Sequence, residues 1–345
     1  MKDLLLLLSR YPYDISNRET LSDLLGEVQN WPKLVELINA HGIIALAAYN
    51  IKEARLEKKV PFDSMAILEN GYLQSVVRNT WLTEHWKEVN TILVNAGIKH
   101  VLLKGMALEH TIYESGGLRQ MTDNDILVKP EDALKSWTLL QRYGFSHGPV
   151  KSALHKKILP FIGKHLPTLY KNGYAIEIHH RLFDNENNPE TGNNDPVNDA
   201  VEILVNDTNA WILSKEMQLR HLVSHFKRHA MEGSVQIRQY ADILLLDKSS
   251  NVVMPDKFIT DPQQSNNKEY RKAAYRKSFA SVPSKYRVRY LAGDIFPSLS
   301  WMKERYKCSI LKALLYYPLR IGKVFMLLPP WGKVGKGVRD KELLC

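Results

Sequence analysis

The 345-residue chain is long enough for two domains, and its 44% hydrophobic, 24% charged and 9% aromatic content is that of a globular protein, not a disordered or fibrous one. Its two cysteines, Cys308 and Cys345, exclude a disulfide framework and a cysteine-based zinc centre, and they point to a reducing, cytoplasmic setting. The net charge of +10 sits at one end: residues 268–345 hold 18 Lys/Arg against 5 Asp/Glu, whereas the first 267 residues hold 29 against 32.

Met1-Lys2-Asp3 followed by Leu4–Leu8 is too short, and has an acid in the wrong place, for a secretory leader. No uncharged apolar run approaches the roughly 20 residues of a membrane span. Residues 1–97 read as an N-terminal helical segment. Apolar residues recur at three and four spacing in Leu21, Leu24, Leu25 and Val28, and again from Met65 through Leu93 after Pro61. Asn95-Ala96-Gly97 supplies the stop.

The pattern changes at residue 98. Ile98–Leu103 is a strand candidate, Lys104-Gly105 breaks it, and Met106–Tyr113 reads as a short helix before the Ser115-Gly116-Gly117 loop. Asp125–Val128 is a second strand, and Pro130 opens a helix that runs to Tyr143. Leu166–Tyr170 and Tyr174–His180 flank Asn172-Gly173, a strong hairpin signal. Residues 98–183 therefore read as a small α/β unit with a mixed sheet. A polar linker follows at about 184–197, a helical segment at 197–247, a loop-like stretch at 250–267 and a basic helical region at 268–345. The fold class expected is α+β, a small mixed sheet flanked by helical segments at both ends.

Three pieces of sequence carry chemistry. Asp123 and Asp125 alternate at the start of a strand, so both carboxylates face one way. Held close, they repel unless a cation lies between them. Mg²⁺ suits such a pair together with substrate phosphates; a turn capped by Asp123 with Asp125 in solvent is the plainer alternative. Upstream, Lys104 and Gly105 form a strand-to-helix turn that suits phosphate. Downstream, Glu177 lies between apolar neighbours on a strand, where an acid is costly unless paired or metal-bound. It is the natural third carboxylate.

Leu102-Leu103-Lys104-Gly105, Gly117-Leu118-Arg119, Asp123-Asn124-Asp125-Ile126-Leu127-Val128 and Ile176-Glu177-Ile178-His179 together resemble the DNA polymerase β-type nucleotidyltransferase superfamily, and within it a branch of poorly characterised bacterial nucleotidyltransferases. Leu219–His225 and Arg238–Ile243 resemble that branch's helical segment, so the likeness spans roughly residues 90–247. Two departures stand out: Met106 follows Gly105 where the superfamily has serine, and the third acid is Glu177 where aspartate is commoner.

The resemblance implies transfer of a nucleoside monophosphate from an NTP to an acceptor hydroxyl with release of pyrophosphate, supported by Mg²⁺ or Mn²⁺. It implies that Asp123 and Asp125 hold the metal ions, that Glu177 holds the catalytic ion and orients or deprotonates the acceptor, and that Lys104, Gly105 and Arg119 hold phosphates. His179 shares the face of Glu177, and His225, Arg238 and Asp242 are the residues expected at an acceptor cleft. The alternative is a catalytically weak or inactive binding module of the same fold, acting at a membrane surface or on nucleic acid. A polymerase or tailing enzyme is not favoured, because the basic surplus lies far from the motifs in sequence.

His221, His225 and His229 share a helix face, but a third ligand at i+8 lies too far along the helix to complete one tetrahedral zinc centre. Tyr316–Trp331 mixes Leu, Ile, Phe and Trp with Arg320 and Lys323. This pattern suits either packing against the protein's own core or contact of 268–345 with an anionic inner-membrane surface.

Overall fold

The helical pattern over 1–97 resolves into α1 (Lys2–Leu8), α2 (Arg18–Gly26), α3 (Trp31–Ala40), α4 (Ile44–Glu53) and α5 (Phe62–Asn95). The structure is a computed structural model that describes residues 1–113, 116–183, 195–262 and 267–327. Most of the expected linker at 184–197, Ser115, part of the 250–267 stretch and the end of the Tyr316–Trp331 segment lie outside the described residues. Local chemistry places the helix starts. The Asn30 side chain accepts the Lys33 N–H ahead of α3, and Pro61 precedes the first residue of α5 without a side-chain capping bond.

Helix α5 serves two cores. Met65 and Leu68 pack with α1–α4, while Leu82, Trp86, Val89, Ile92 and Leu93 pack against the sheet. Each such fully buried side chain contributes about 1.5–3 kcal/mol, so α5 is the spine that joins the N-terminal helices to the sheet.

The sheet is built from β1 (His100–Leu102), β2 (Asn124–Val128), β3 (Ser146–His147), β4 (Leu169–Lys171), β5 (Tyr174–His179), β6 (Val201–Val205) and β7 (Thr208–Ile212). Its order is β3-β4-β5-β2-β1-β7-β6. Two pairings at its centre, β2 with β5 and β1 with β7, are parallel, and the others are antiparallel. Between the strands run α6 (Lys104–Glu109), α7 (Ala133–Arg142) and α8 (Ala153–Lys156). Alternation sorts the two faces. Leu102, Ile126, Val128, Ile176 and Ile178 turn toward α5 and α7, and Val101, Leu103 and Leu127 join Phe183 and Leu213 on the opposite face.

The hairpin at Asn172-Gly173 forms as expected, with φ of 52° and 83° at its two turn residues. The segment at 197–247 is not helical throughout. Residues 201–212 form the β6–β7 hairpin, turning at Asn206 and Asp207 with φ of 44° and 62°, and β7 adds to the sheet beside β1. The helix expected from Met106 begins earlier, at Lys104, and ends at Glu109.

Helices α9 (Lys215–Glu232), α10 (Ile237–Leu246) and α11 (Lys257–Thr260) follow, then α12 (Lys268–Ser281), α13 (Ser284–Ile295), α14 (Leu299–Tyr306), α15 (Ile310–Leu315) and α16 (Tyr317–Leu327). The basic helices dock through the fully buried Asp294 of α13. It pairs with Lys151, lies 3.4 Å from His155 Nε2 and accepts the Tyr275 hydroxyl at 2.6 Å. Among the described residues the architecture is thus α+β, a seven-stranded mixed sheet set among helices.

Candidate active site

Strands β2 and β5 run parallel with Asp125 directly opposite Glu177 and Leu127 opposite His179. Neighbours in register share a sheet face. Asp125, Glu177 and His179 therefore stand together, above the small apolar cluster that Leu127 joins below. One ligand atom from each of the three lies within 4.8 Å of the other two. Asp123, one residue before β2, lines the same cavity.

Asp125 Oδ1 is held from two sides, by Lys104 Nζ at 2.7 Å and by His179 Nε2 at 2.8 Å. Glu177 Oε1 accepts the Thr168 hydroxyl at 3.0 Å, and its Oε2 lies 3.6 Å from His179 Nε2 and 3.8 Å from His165 Nδ1. Lys104 sits at φ +48°, a left-handed conformation that is costly for a side-chain-bearing residue and is concentrated at functional sites. Gly105 is closely packed: a Cβ there would lie 3.0 Å from Met121 Cγ and Sδ, so the methionine side chain would have to give way.

These neighbours set the protonation states. Burial works to raise the Asp125 pKa, but the Lys104 ammonium and His179 outweigh it and hold the carboxyl well below its ordinary value. Burial also opposes ionisation of Glu177, and His179 and His165 bring it below the usual range. Asp123 goes the other way: burial, then the charge of Asp125, raises it.

The cavity has a volume of about 360 Å³. Helices α9 and α10 form its far wall, with His225, Arg228, His229, Glu232, Arg238, Gln239 and Asp242. His225 and His229 approach Nε2 to Nε2 at 3.2 Å. Burial keeps both rings neutral, holding His225 well below its ordinary value and His229 at about 4. Arg119 lines the cavity, but its guanidinium is taken up by Asp242, Nε to Oδ1 at 2.9 Å and Nη2 to Oδ2 at 2.8 Å. Glu109 pins the loop behind it by accepting the Gly117 and Arg119 N–H groups. Arg238 donates to the Gln120 carbonyl at 2.5 Å and to Gln236 Oε1 at 2.9 Å. Burial and the nearby Arg119 charge bring its pKa down to about 10.

The residues expected from the sequence to bind metal, phosphate or acceptor thus line one cavity: Lys104, Gly105, Arg119, Asp123, Asp125, Glu177, His179, His225, Arg238 and Asp242; His221 is not among its lining residues. Lys164, His165 and His229 also line it; the sequence marked His229 only as one of three histidines on a helix face, and gave no site role to Lys164, to His165 or to Thr168, which supports Glu177. His165 reaches the site through its bridge to His179, a pairing between residues 14 positions apart; His165-Leu166-Pro167 marks a strand in the sequence but not that pairing. The donor set suits a divalent cation. Carboxylate oxygens favour hard ions such as Mg²⁺, and an adjacent imidazole accommodates Mn²⁺. Lys104 already places a positive charge against Asp125.

No curated protein and no solved structure matches the chain. A family model described as uncharacterised nucleotidyltransferase matches residues 27–263, more than half of the chain and well into the N-terminal helices. The chain belongs to this family of nucleotidyltransferases.

Proposed function

We propose that the protein moves a nucleoside monophosphate from an NTP to an acceptor hydroxyl and releases pyrophosphate. The observation that supports this most directly is the parallel register that sets Asp125 against Glu177, with Asp123 lining the same cavity. Asp123, Asp125 and Glu177, with His179 beside them, would hold a divalent cation. Such a cation screens phosphate charge and favours the ionised acceptor. Glu177 is ionised at neutral pH and takes the acceptor proton. A bond forms between the acceptor oxygen and the α-phosphorus, and the bond from α-phosphorus to the bridging oxygen breaks, so pyrophosphate leaves with the electron pair. Lys104 and Arg238 supply positive charge for the phosphates. Arg119, neutralised by Asp242, braces α10, on which Arg238 stands.

The test is incubation with each α-labelled NTP and Mg²⁺ or Mn²⁺, with cell extract as the acceptor pool. Label is expected to move to an acceptor with wild type and not with Asp125→Asn or Glu177→Gln; equal labelling by all three proteins would refute the assignment. A second reading, nucleotide binding without turnover, draws on the Lys104–Asp125 ion pair and on the absence of a serine after Gly105. It predicts metal-independent NTP binding with no labelled product.

A further inference from the structure

Helix α15 is built inside out. A surface helix of a globular protein turns its apolar arc toward the core. In α15 the buried residue is Ala313, whereas Ile310, Leu311, Leu314 and Leu315 are 52%, 76%, 48% and 75% exposed. At 3.6 residues per turn those four fall within an arc of about 140°, and Leu319 of α16, 59% exposed, adds to the apolar surface. Contiguous apolar surface of this kind marks an interaction site. The charge around it selects the partner. Residues 299–323 hold six Lys/Arg and one acid, Glu304, and Lys303, Arg305, Lys307 and Lys312 are exposed. Tyr306 and Tyr316 stack ring on ring at 4.5 Å, one on either side of α15, and tyrosine is suited to the zone between headgroups and acyl chains.

We propose that this face docks on an anionic lipid bilayer, with α15 lying in the interface, its leucines toward the acyl chains and the flanking lysines and arginines on the headgroups. Nucleic acid or an acidic protein would satisfy the charges but leave the apolar arc in water. Among the described residues no helix is long and apolar enough to cross a membrane, so the contact is peripheral. The surface lies outside the catalytic cavity, and the proposal stands whether or not nucleotidyl transfer is found.

The experiment is co-sedimentation of the full chain with vesicles of phosphatidylcholine alone and of phosphatidylcholine mixed with phosphatidylglycerol. Binding is expected to the anionic vesicles only, and to weaken as salt is raised. Leu311→Gln with Leu315→Gln is expected to lower the partition coefficient about tenfold or more. Lys303→Gln with Lys307→Gln is expected to lower it by about fivefold per residue. Both variants change exposed side chains, and circular dichroism checks that they fold. Equal binding to neutral vesicles, undiminished binding by the leucine variant, or a wild-type dimer that the leucine variant dissociates would each overturn the proposal. Retention on oligonucleotides with no vesicle binding would do the same.

Discussion

Lowering the pH from 7 to 5 is expected to destabilise the fold by several kcal/mol before any carboxylate ion pair is lost. Burial brings His100, His180 and His229 to a pKa of about 4 in the folded chain, against about 6.5 unfolded. Their folded pKa is depressed, so between these values the unfolded chain binds more protons and stability falls as pH falls. At pH 5 each ring costs about 2 kcal/mol, and together they cost about 6 kcal/mol. A domain is stable by only about 5–15 kcal/mol in all. His221 and His225 act in the same direction. Glu109 and Asp123, raised mainly by burial, take up protons first in the folded chain and offset part of the loss. Asp125 and Asp294 are held low, so their contribution is lost only below about 4. Urea unfolding followed by tryptophan fluorescence at pH 7 and pH 5 measures the difference, and His180→Gln should flatten the slope. Equal or greater stability at pH 5 would refute the neutral, buried state of these rings.

Three further outcomes follow from the cavity and its supports. Asp242→Asn strands the Arg119 guanidinium, which with Asp242 is almost wholly buried, and should cost about 3–5 kcal/mol in urea unfolding. Gly117→Ala should cost about 2–3 kcal/mol, read as a fall in melting temperature: φ is +85°, and the new Cβ would meet Val76 backbone atoms at 2.7–2.8 Å. Lys104→Met removes the cation that competes for Asp125 Oδ1, so calorimetric Mn²⁺ affinity without nucleotide should rise about tenfold while nucleotidyl transfer falls. A loss of metal affinity in that variant would mean that Lys104 supports the cation site instead of competing for it.

The features readable in the sequence were those whose cause is local. Asn172-Gly173 announces its turn because both residues tolerate positive φ. Asp123 and Asp125 show by their alternation at the start of a strand, and Glu177 by its apolar neighbours. The β6–β7 hairpin escapes the same reading for a local reason too. Asn206-Asp207 makes the turn, but Val201, Glu202 and Leu204 are exposed on an edge strand, so no clear alternation of buried and exposed residues marks β6. Nor does anything near Lys104 foretell that its ammonium would meet Asp125, 21 residues on.

Alternation says which residues share a face of a strand; it does not say which residue of the next strand lies opposite. A slip of one residue between β2 and β5 would turn Glu177 out of the cavity. The residue skipped between the two aspartates helps to prevent this. Asn124 is fully buried, and its Nδ2 donates to the Tyr174 hydroxyl on β5 at 3.0 Å and to the Leu82 carbonyl of α5 at 3.1 Å. One amide thus ties the strand of the aspartates to the strand of the glutamate and both to the spine. Its Oδ1 is buried without a hydrogen-bond partner among the described residues, so Asn124→Val removes one unfavourable group with two favourable bonds. The net cost should be about 1–2 kcal/mol. The informative readout is hydrogen exchange, which should quicken in β2 and β5 more than in α5. Unchanged exchange in the two strands would show that apolar packing alone holds the carboxylates opposite one another.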